Sequence, residues 1–148
     1  MIDELDRKII SLIINDARTP FLEVARECGV SGAAIHQRIQ KLTSLGVILG
    51  TQFNVDPEKI GLSTCAYLGM SLEHPEKMER TMEKLQSVRE IVECHHTSGS
   101  YDLLLKVYAE SNHQLLRIIH EKLQPLGLIC KDTIMSFNEA IHRPVSIL

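Results

Sequence analysis

The chain has 148 residues, 44% of them hydrophobic and 24% charged, with a formal net charge of −3; this is the balance of a folded globular protein and excludes a disordered one. With no run of about 18 apolar residues and no basic-then-apolar leader, neither a membrane span nor a secretion signal is expected, and the protein is read as cytoplasmic. Its four cysteines, Cys28, Cys65, Cys94 and Cys130, lack paired spacing, which argues against a zinc knuckle or a redox CxxC and for free thiols.

Ile2, Leu5, Ile9, Leu12 and Ile13 mark a first amphipathic helix, with Asp3 as its cap and Glu4 and Asp6 complementing the helix dipole. From Pro20 to Ile48 two short helices follow, hinged at Cys28-Gly29-Val30-Ser31. Gly29 supplies the positive φ that ends one helix, and Ser31 caps the next. Ile35, Ile39 and Leu42 recur at i, i+4 and i+7, followed by Leu45, so one stripe of the third helix should pack on the first two, with Leu22, Val24 and Ala25 opposite.

The other side of that helix carries Ala33, Gln37, Gln40 and Lys41, flanked by Ala34, His36 and Arg38. Small residues let a backbone approach base edges, Gln pairs with adenine, and Lys or Arg pairs with guanine or phosphate. The pattern is that of a helix-turn-helix reader of double-stranded DNA, with Ser31, Ala33, Ala34, His36, Gln37, Arg38, Gln40 and Lys41 as the contacting set. A plain helical hairpin with a solvated polar face is the alternative.

Charge sets a condition on that reading. Residues 1–50 hold six basic and six acidic side chains, and the stretch from Cys28 to Gly50 has no Asp or Glu. So few phosphate contacts per copy give weak binding, so several copies must act together, which predicts an oligomer.

After Gly46, the stretch from Val47 to Val55 is rich in β-formers and is expected to be a connecting strand, ending at Asp56-Pro57. The period then changes. Strands are expected over 62–72, 88–97, 101–109 and 128–139, and helices over 75–85 and 112–123, with a short turn at Ser98-Gly99-Ser100. The order β-α-β-β-α-β is that of a ferredoxin-like sandwich whose sheet has helices on one face only. Dimerisation would bury the other face. The expected divisions are a DNA-binding domain at 1–49, a strand and hinge at 50–61, and a βαββαβ oligomerisation domain at 62–148.

Ile2-Asp3-Glu4-Leu5-Asp6 before Ile9-Ile10, Ser31 with Ile35, Arg38-Ile39, Leu42 and Gly46-Val47-Ile48, Asp56-Pro57 and Gly61, and Gly99-Ser100-Tyr101-Asp102 with Leu104, Lys106 and Val107 together resemble the Lrp/AsnC, or feast/famine, transcription regulators. The resemblance implies an α+β chain: an N-terminal winged-type helix-turn-helix, then the βαββαβ sandwich. It further implies homodimers that place two recognition helices in successive major grooves and assemble into larger rings, often octamers. An amino acid or related metabolite is the implied effector, held near Gly99, Tyr101 and Asp102, with hydroxyls from Thr97, Ser98 and Ser100. Backbone N–H groups there could hold a carboxylate and Asp102 an ammonium; the plainer alternative is a hairpin turn that Asp102 caps.

Many relatives carry two threonines at alternate positions of the last strand. Here Lys131 takes the earlier place and only Thr133 remains as an effector contact, and Thr43 replaces an acidic residue of the third helix.

Two other functions fit parts of the pattern. Seven histidines, with Cys94 and His96 on one strand face, raise an enzyme like the sirohaem decarboxylases, which resemble this family in both domains. Against it, Cys94 and His96 are too few for a closed zinc site, and aromatic residues are only 4%, too few to line a tetrapyrrole cavity. A sensor that pairs with paralogues while its DNA-binding head is inactive is the other. The regulator is preferred, with no catalytic residues, no metal and no cofactor expected.

Overall fold

The computed structural model describes residues 1–147. They form two compact units, Met1–Asn54 joined by the segment from Ile141, and Val55–Ala140. Among the described residues, the segment from Ile141 groups with the three-helix unit.

The head is three helices: α1 (Glu4–Ile13), α2 (Phe21–Cys28) and α3 (Gly32–Ser44). A reciprocal capping box starts α1, with the Asp6 N–H donating to the Asp3 carboxylate at 2.8 Å and the Asp3 N–H to the Asp6 carboxylate at 3.0 Å. Gly29, at φ 67°, ends α2, and Ser31 caps α3 by accepting the Ala34 N–H at 3.2 Å.

Ile9, Val24, Ala25 and Ile35 form the head's core, with Leu5, Leu12, Phe21 and Ile39 around them. Each fully buried aliphatic side chain contributes roughly 1.5–3 kcal/mol. Two expected core residues lie outside it: Leu22 is 73% exposed and Leu45 53%. Leu22 lies two residues before Val24, about 200° round the helix from it, and Leu45 lies beyond the last turn of α3.

The head contains no strand among the described residues, so the wing has no ladder, and the stretch expected as a connecting strand runs from Ile48 to Asp56 without regular structure. Strands need a hydrogen-bonding partner, and among the described residues that stretch has no ladder partner. Its apolar side chains are left in solvent, Leu49 at 94% and Phe53 at 76% exposure.

The second unit follows β1 (Thr64–Leu72), α4 (Met78–Leu85), β2 (Ile91–His96), β3 (Leu103–Ala109), α5 (Asn112–Arg117) and β4 (Leu128–Ser136). A 3-10 turn, Pro75–Lys77, leads into α4 where Pro75 suits a first turn. Beyond α5 the chain continues through a π turn, Ile118–Leu123, and a 3-10 turn, Gln124–Leu126, ended by Gly127 at φ 81°. The sheet order is β2-β3-β1-β4 with every neighbour antiparallel, the ferredoxin-like arrangement.

Alternation decides what each face of the sheet carries. Ala66, Leu68, Met70, Leu103, Leu105 and Val107 point at the helices and are fully buried with Leu115, Ile118 and Leu123. The opposite face presents Tyr67, Gly69, Leu104, Lys106, Tyr108, Asp132 and Ile134. Two irregularities shift the register, between Ile91 and Glu93 in β2 and opposite Gly69/Met70 in β4, where Lys131 is the residue without a partner.

Candidate nucleic-acid interface and effector turn

Helix α3 exposes Ser31, Ala33, His36, Gln37 and Gln40, with Ala34 half-buried behind its cap. The His36 ring meets Phe21 edge-on with centroids 4.6 Å apart, which ties that side of α3 to α2. These residues make a continuous outward strip whose two amides are unobstructed by charge.

Arg38 and Lys41 belong elsewhere. Lys41 Nζ donates to Asp6 Oδ2 at 2.6 Å, and Arg38 Nη1 donates to Asp6 Oδ1 at 3.1 Å and to the Asp3 carboxylate. Both cations, expected to face DNA, therefore clamp α3 to the start of α1. Burial pushes the Asp6 carboxyl up, but the Lys41 ammonium, the Asp3 N–H and the Arg38 guanidinium outweigh it and hold the carboxyl well below the carboxylate range. Asp3 is lowered too, chiefly by Arg38. A 100° count around α3 puts Lys41 outward and Arg38 on the flank because it ignores reach: long side chains bend toward a buried acid that lies 32 to 35 residues earlier.

In the second unit the hairpin between β2 and β3 is longer than the expected three-residue turn, spanning 97–102. The Thr97 N–H donates to the Asp102 carbonyl at 3.2 Å and its hydroxyl to the Tyr101 carbonyl at 3.0 Å. Gly99, at φ 96°, permits the reversal, leaving Ser98, Gly99 and Ser100 exposed at the tip. Asp102 is anchored to β1 twice: its N–H donates to the Met70 carbonyl at 2.9 Å, and its carboxylate accepts the Leu72 N–H at 2.8 Å.

Tyr101 lies across Gly69, where a Cβ would stand 2.6 Å from the ring, and donates its hydroxyl to Asp132 Oδ2 at 2.7 Å. That acceptor, with burial adding to it, pushes the Tyr101 phenol up. Gly69 and Asp132 thus join the turn on the open sheet face, and sequence spacing did not point to either. Thr133 does not join it. It pairs with Leu68 on the helix-facing side, with its hydroxyl 3.5 Å from Cys130 Sγ, because the bulge at Lys131 reverses the alternation of β4.

Cys94 and His96 share the helix-facing side of β2, opposite Leu105 and Leu103, and His95 faces the other way beside Glu93. Among the described residues no three His, Cys, Asp or Glu side chains gather as metal donors. No described helix is long and apolar enough to cross a membrane.

A three-helix head with a capped, outward α3, followed by this sheet and turn, can be compared with known families. The AsnC-type helix-turn-helix domain matches residues 2–43, and the Lrp/AsnC ligand binding domain matches residues 65–144. The chain belongs to the Lrp/AsnC family. It is 35% identical to the regulatory protein AsnC of Haemophilus influenzae over 97% of both chains. The structure of Escherichia coli AsnC superposes with a TM-score of 0.89 at 29% identity over 99% of each chain. A transcriptional regulator of Neisseria meningitidis in complex with L-Met shares the fold, with a TM-score of 0.85 at 18% identity over 100% of this chain and 97% of the other. As a member of the Lrp/AsnC family, this protein is a DNA-binding transcriptional regulator, and the family's named regulators favour that function over the decarboxylase-like and vestigial-head alternatives.

Proposed function

We propose that this regulator reads duplex DNA with Ser31, Ala33, His36, Gln37 and Gln40, and that Arg38 and Lys41 act by holding the reading helix in place. The carrying observation is the division of α3 into an outward amide strip and an inward pair of cations neutralised by Asp6 and Asp3. With those cations engaged, counterion release from α3 is small, so affinity rests on base contacts and on linked copies.

The effector in this proposal is an amino acid held at the turn of Thr97, Ser98, Gly99, Ser100, Tyr101 and Asp102. Exposed backbone at the tip suits a carboxylate, and Asp132 and Asp102 suit an ammonium. The L-Met complex of the Neisseria regulator, a protein of the same fold, supports this ligand class. The working assembly is a homodimer that grows to an octamer in the cytoplasm. It is supported by the open sheet face bearing Tyr67, Leu104, Tyr108 and Ile134, and by the unpaired, apolar stretch containing Leu49 and Phe53. Chemistry on the ligand has no part in this reading; the metabolite biases how dimers associate, with a coupling of roughly 1–3 kcal/mol to DNA affinity.

The test is binding to the promoter of the protein's own operon. Gln37→Ala with Gln40→Ala should lower affinity at least about tenfold, the scale of one lost bidentate base contact, while the solution mass stays unchanged. Unchanged affinity would remove α3 from the interface.

A further inference from the structure

In the second unit a groove of about 330 Å³ lies between α4 and the turn at 124–127, lined by His74, Lys77, Arg80, Lys84, Leu126 and Gly127, among others. None of the residues of the 97–102 turn lines it.

The sequence from Lys77 through α4 makes this groove cationic. Lys77, Arg80 and Lys84 recur at i, i+3 and i+7 and so share one flank, while Glu76, Glu79 and Glu83 repeat the spacing one residue earlier and share the next. Glu76 and Glu83 stand at i−4 and i+3 from Arg80, yet neither forms an ion pair with it among the described residues. Among the described residues, Lys77, Arg80 and Lys84 have no ion-pair partner. One carboxylate, Glu73, lines the groove, so three cations face one anion.

Both walls are fixed. The Thr81 hydroxyl, buried at the base, donates to the Leu126 carbonyl at 3.4 Å, and the Glu73 N–H donates to the Gly127 carbonyl at 2.9 Å. Pro125 and Leu126 give the far wall an apolar surface beside the cations. Three like charges around one recess repel one another, and a bound polyanion relieves that repulsion.

We propose that this groove binds a small phosphate ester of the nucleoside di- or triphosphate class, its phosphates on Lys77, Arg80 and Lys84 and its ring against Pro125 and Leu126. The volume falls in the range of small-molecule sites, about 300–1,000 Å³. A recess walled on two sides receives a free ligand; a duplex backbone, being convex, would ask for a stripe on an open surface. The proposal stands independently of the amino-acid effector.

Titration calorimetry and thermal melts of the full-length protein with pyrophosphate and with ATP test it. Saturable binding with Kd below about 1 mM is expected at 0.15 M salt, unaffected by Gln37→Ala and weakened at least about tenfold, 1.4 kcal/mol, by Arg80→Gln with Lys84→Gln. Lys77→Gln alone, at the first turn, should weaken it by a smaller factor and gives a second reading on a minimally altered chain. Absence of saturable binding overturns the proposal, as does full binding by the double variant. If the double variant loses DNA affinity and salt dependence while neither probe binds, the cations serve the duplex backbone and the free-ligand site is wrong.

Discussion

Asp6 of α1 and Lys41 of α3 are 2.6 Å apart, oxygen to nitrogen, and the acid is fully buried while the ammonium end reaches solvent. The pair, with Arg38 on the other carboxylate oxygen, couples the first turn of the head to the reading helix. Because the folded Asp6 carboxyl ionises below its ordinary 3.8, its stabilisation is fully present above that value and is lost as pH falls through the lowered one. Asp6→Asn should destabilise the head by about 2 kcal/mol, the scale of hydrogen bonds to charged groups, and should flatten the fall of stability below pH 4. Equilibrium denaturation from pH 7 to pH 2 measures both. A variant as stable as the parent at pH 7 would show that the clamp contributes nothing.

The same clamp separates two kinds of DNA-binding variant. Lys41→Gln should lower the melting temperature and the DNA affinity together, since it loosens α3 at its root. Gln37→Ala should lower affinity alone. Parallel melts and promoter titrations distinguish them; a Lys41→Gln protein with parental melting temperature but poor binding would make Lys41 a direct contact after all.

Gly69→Ala should displace the Tyr101 ring, because a methyl there would stand 2.6 Å from it. Overpacking of this kind costs about 1–3 kcal/mol. Near-ultraviolet absorbance titration should then show the Tyr101 phenol ionising at lower pH as its bond to Asp132 is lost. Tyr101→Phe removes the same signal without crowding and serves as the reference.

Asp102→Asn preserves an acceptor for the Leu72 N–H and removes the charge, so the fold should hold while recognition of an ammonium fails. For the parent, an amino acid at 100 times its Kd raises stability by about 2.7 kcal/mol. Thermal shifts across the twenty amino acids should be present in the parent and absent in Asp102→Asn. A retained shift would take Asp102 out of the ligand's reach.

Ile134→Asp places a carboxylate on the open sheet face beside Tyr67, at a position 49% exposed in the single chain. Burying an unpaired charge in an interface is costly, so this variant should sediment as a smaller species with its helical content intact. An unchanged mass would move the dimer contact off this face.

Much of the architecture was legible in local patterns. The apolar run from Tyr101 to Ala109 announced a strand, and Gly29-Val30-Ser31 announced the break and cap between α2 and α3, because both depend on residues close together in the chain. The outward placement of Gln37 and Gln40 was equally readable from helical geometry. The face that Thr133 takes was not legible: a single extra residue, Lys131, inverts the face of everything after it in β4, and nothing local to that strand records the bulge.

By itself, then, the order of residues determined the helices and strands of the two domains and the cap and hinge of the reading motif, since these follow from short-range periodicity and backbone preference, while its quoted motifs carried the family resemblance. The tertiary structure alone decided that Arg38 and Lys41 serve Asp6, that Gly69 and Asp132 complete the Tyr101 turn, and that α4 faces the 124–127 turn across a groove. Those relations join side chains tens of residues apart, and which partner a flexible charged or aromatic side chain takes depends on the packing that brings distant segments together.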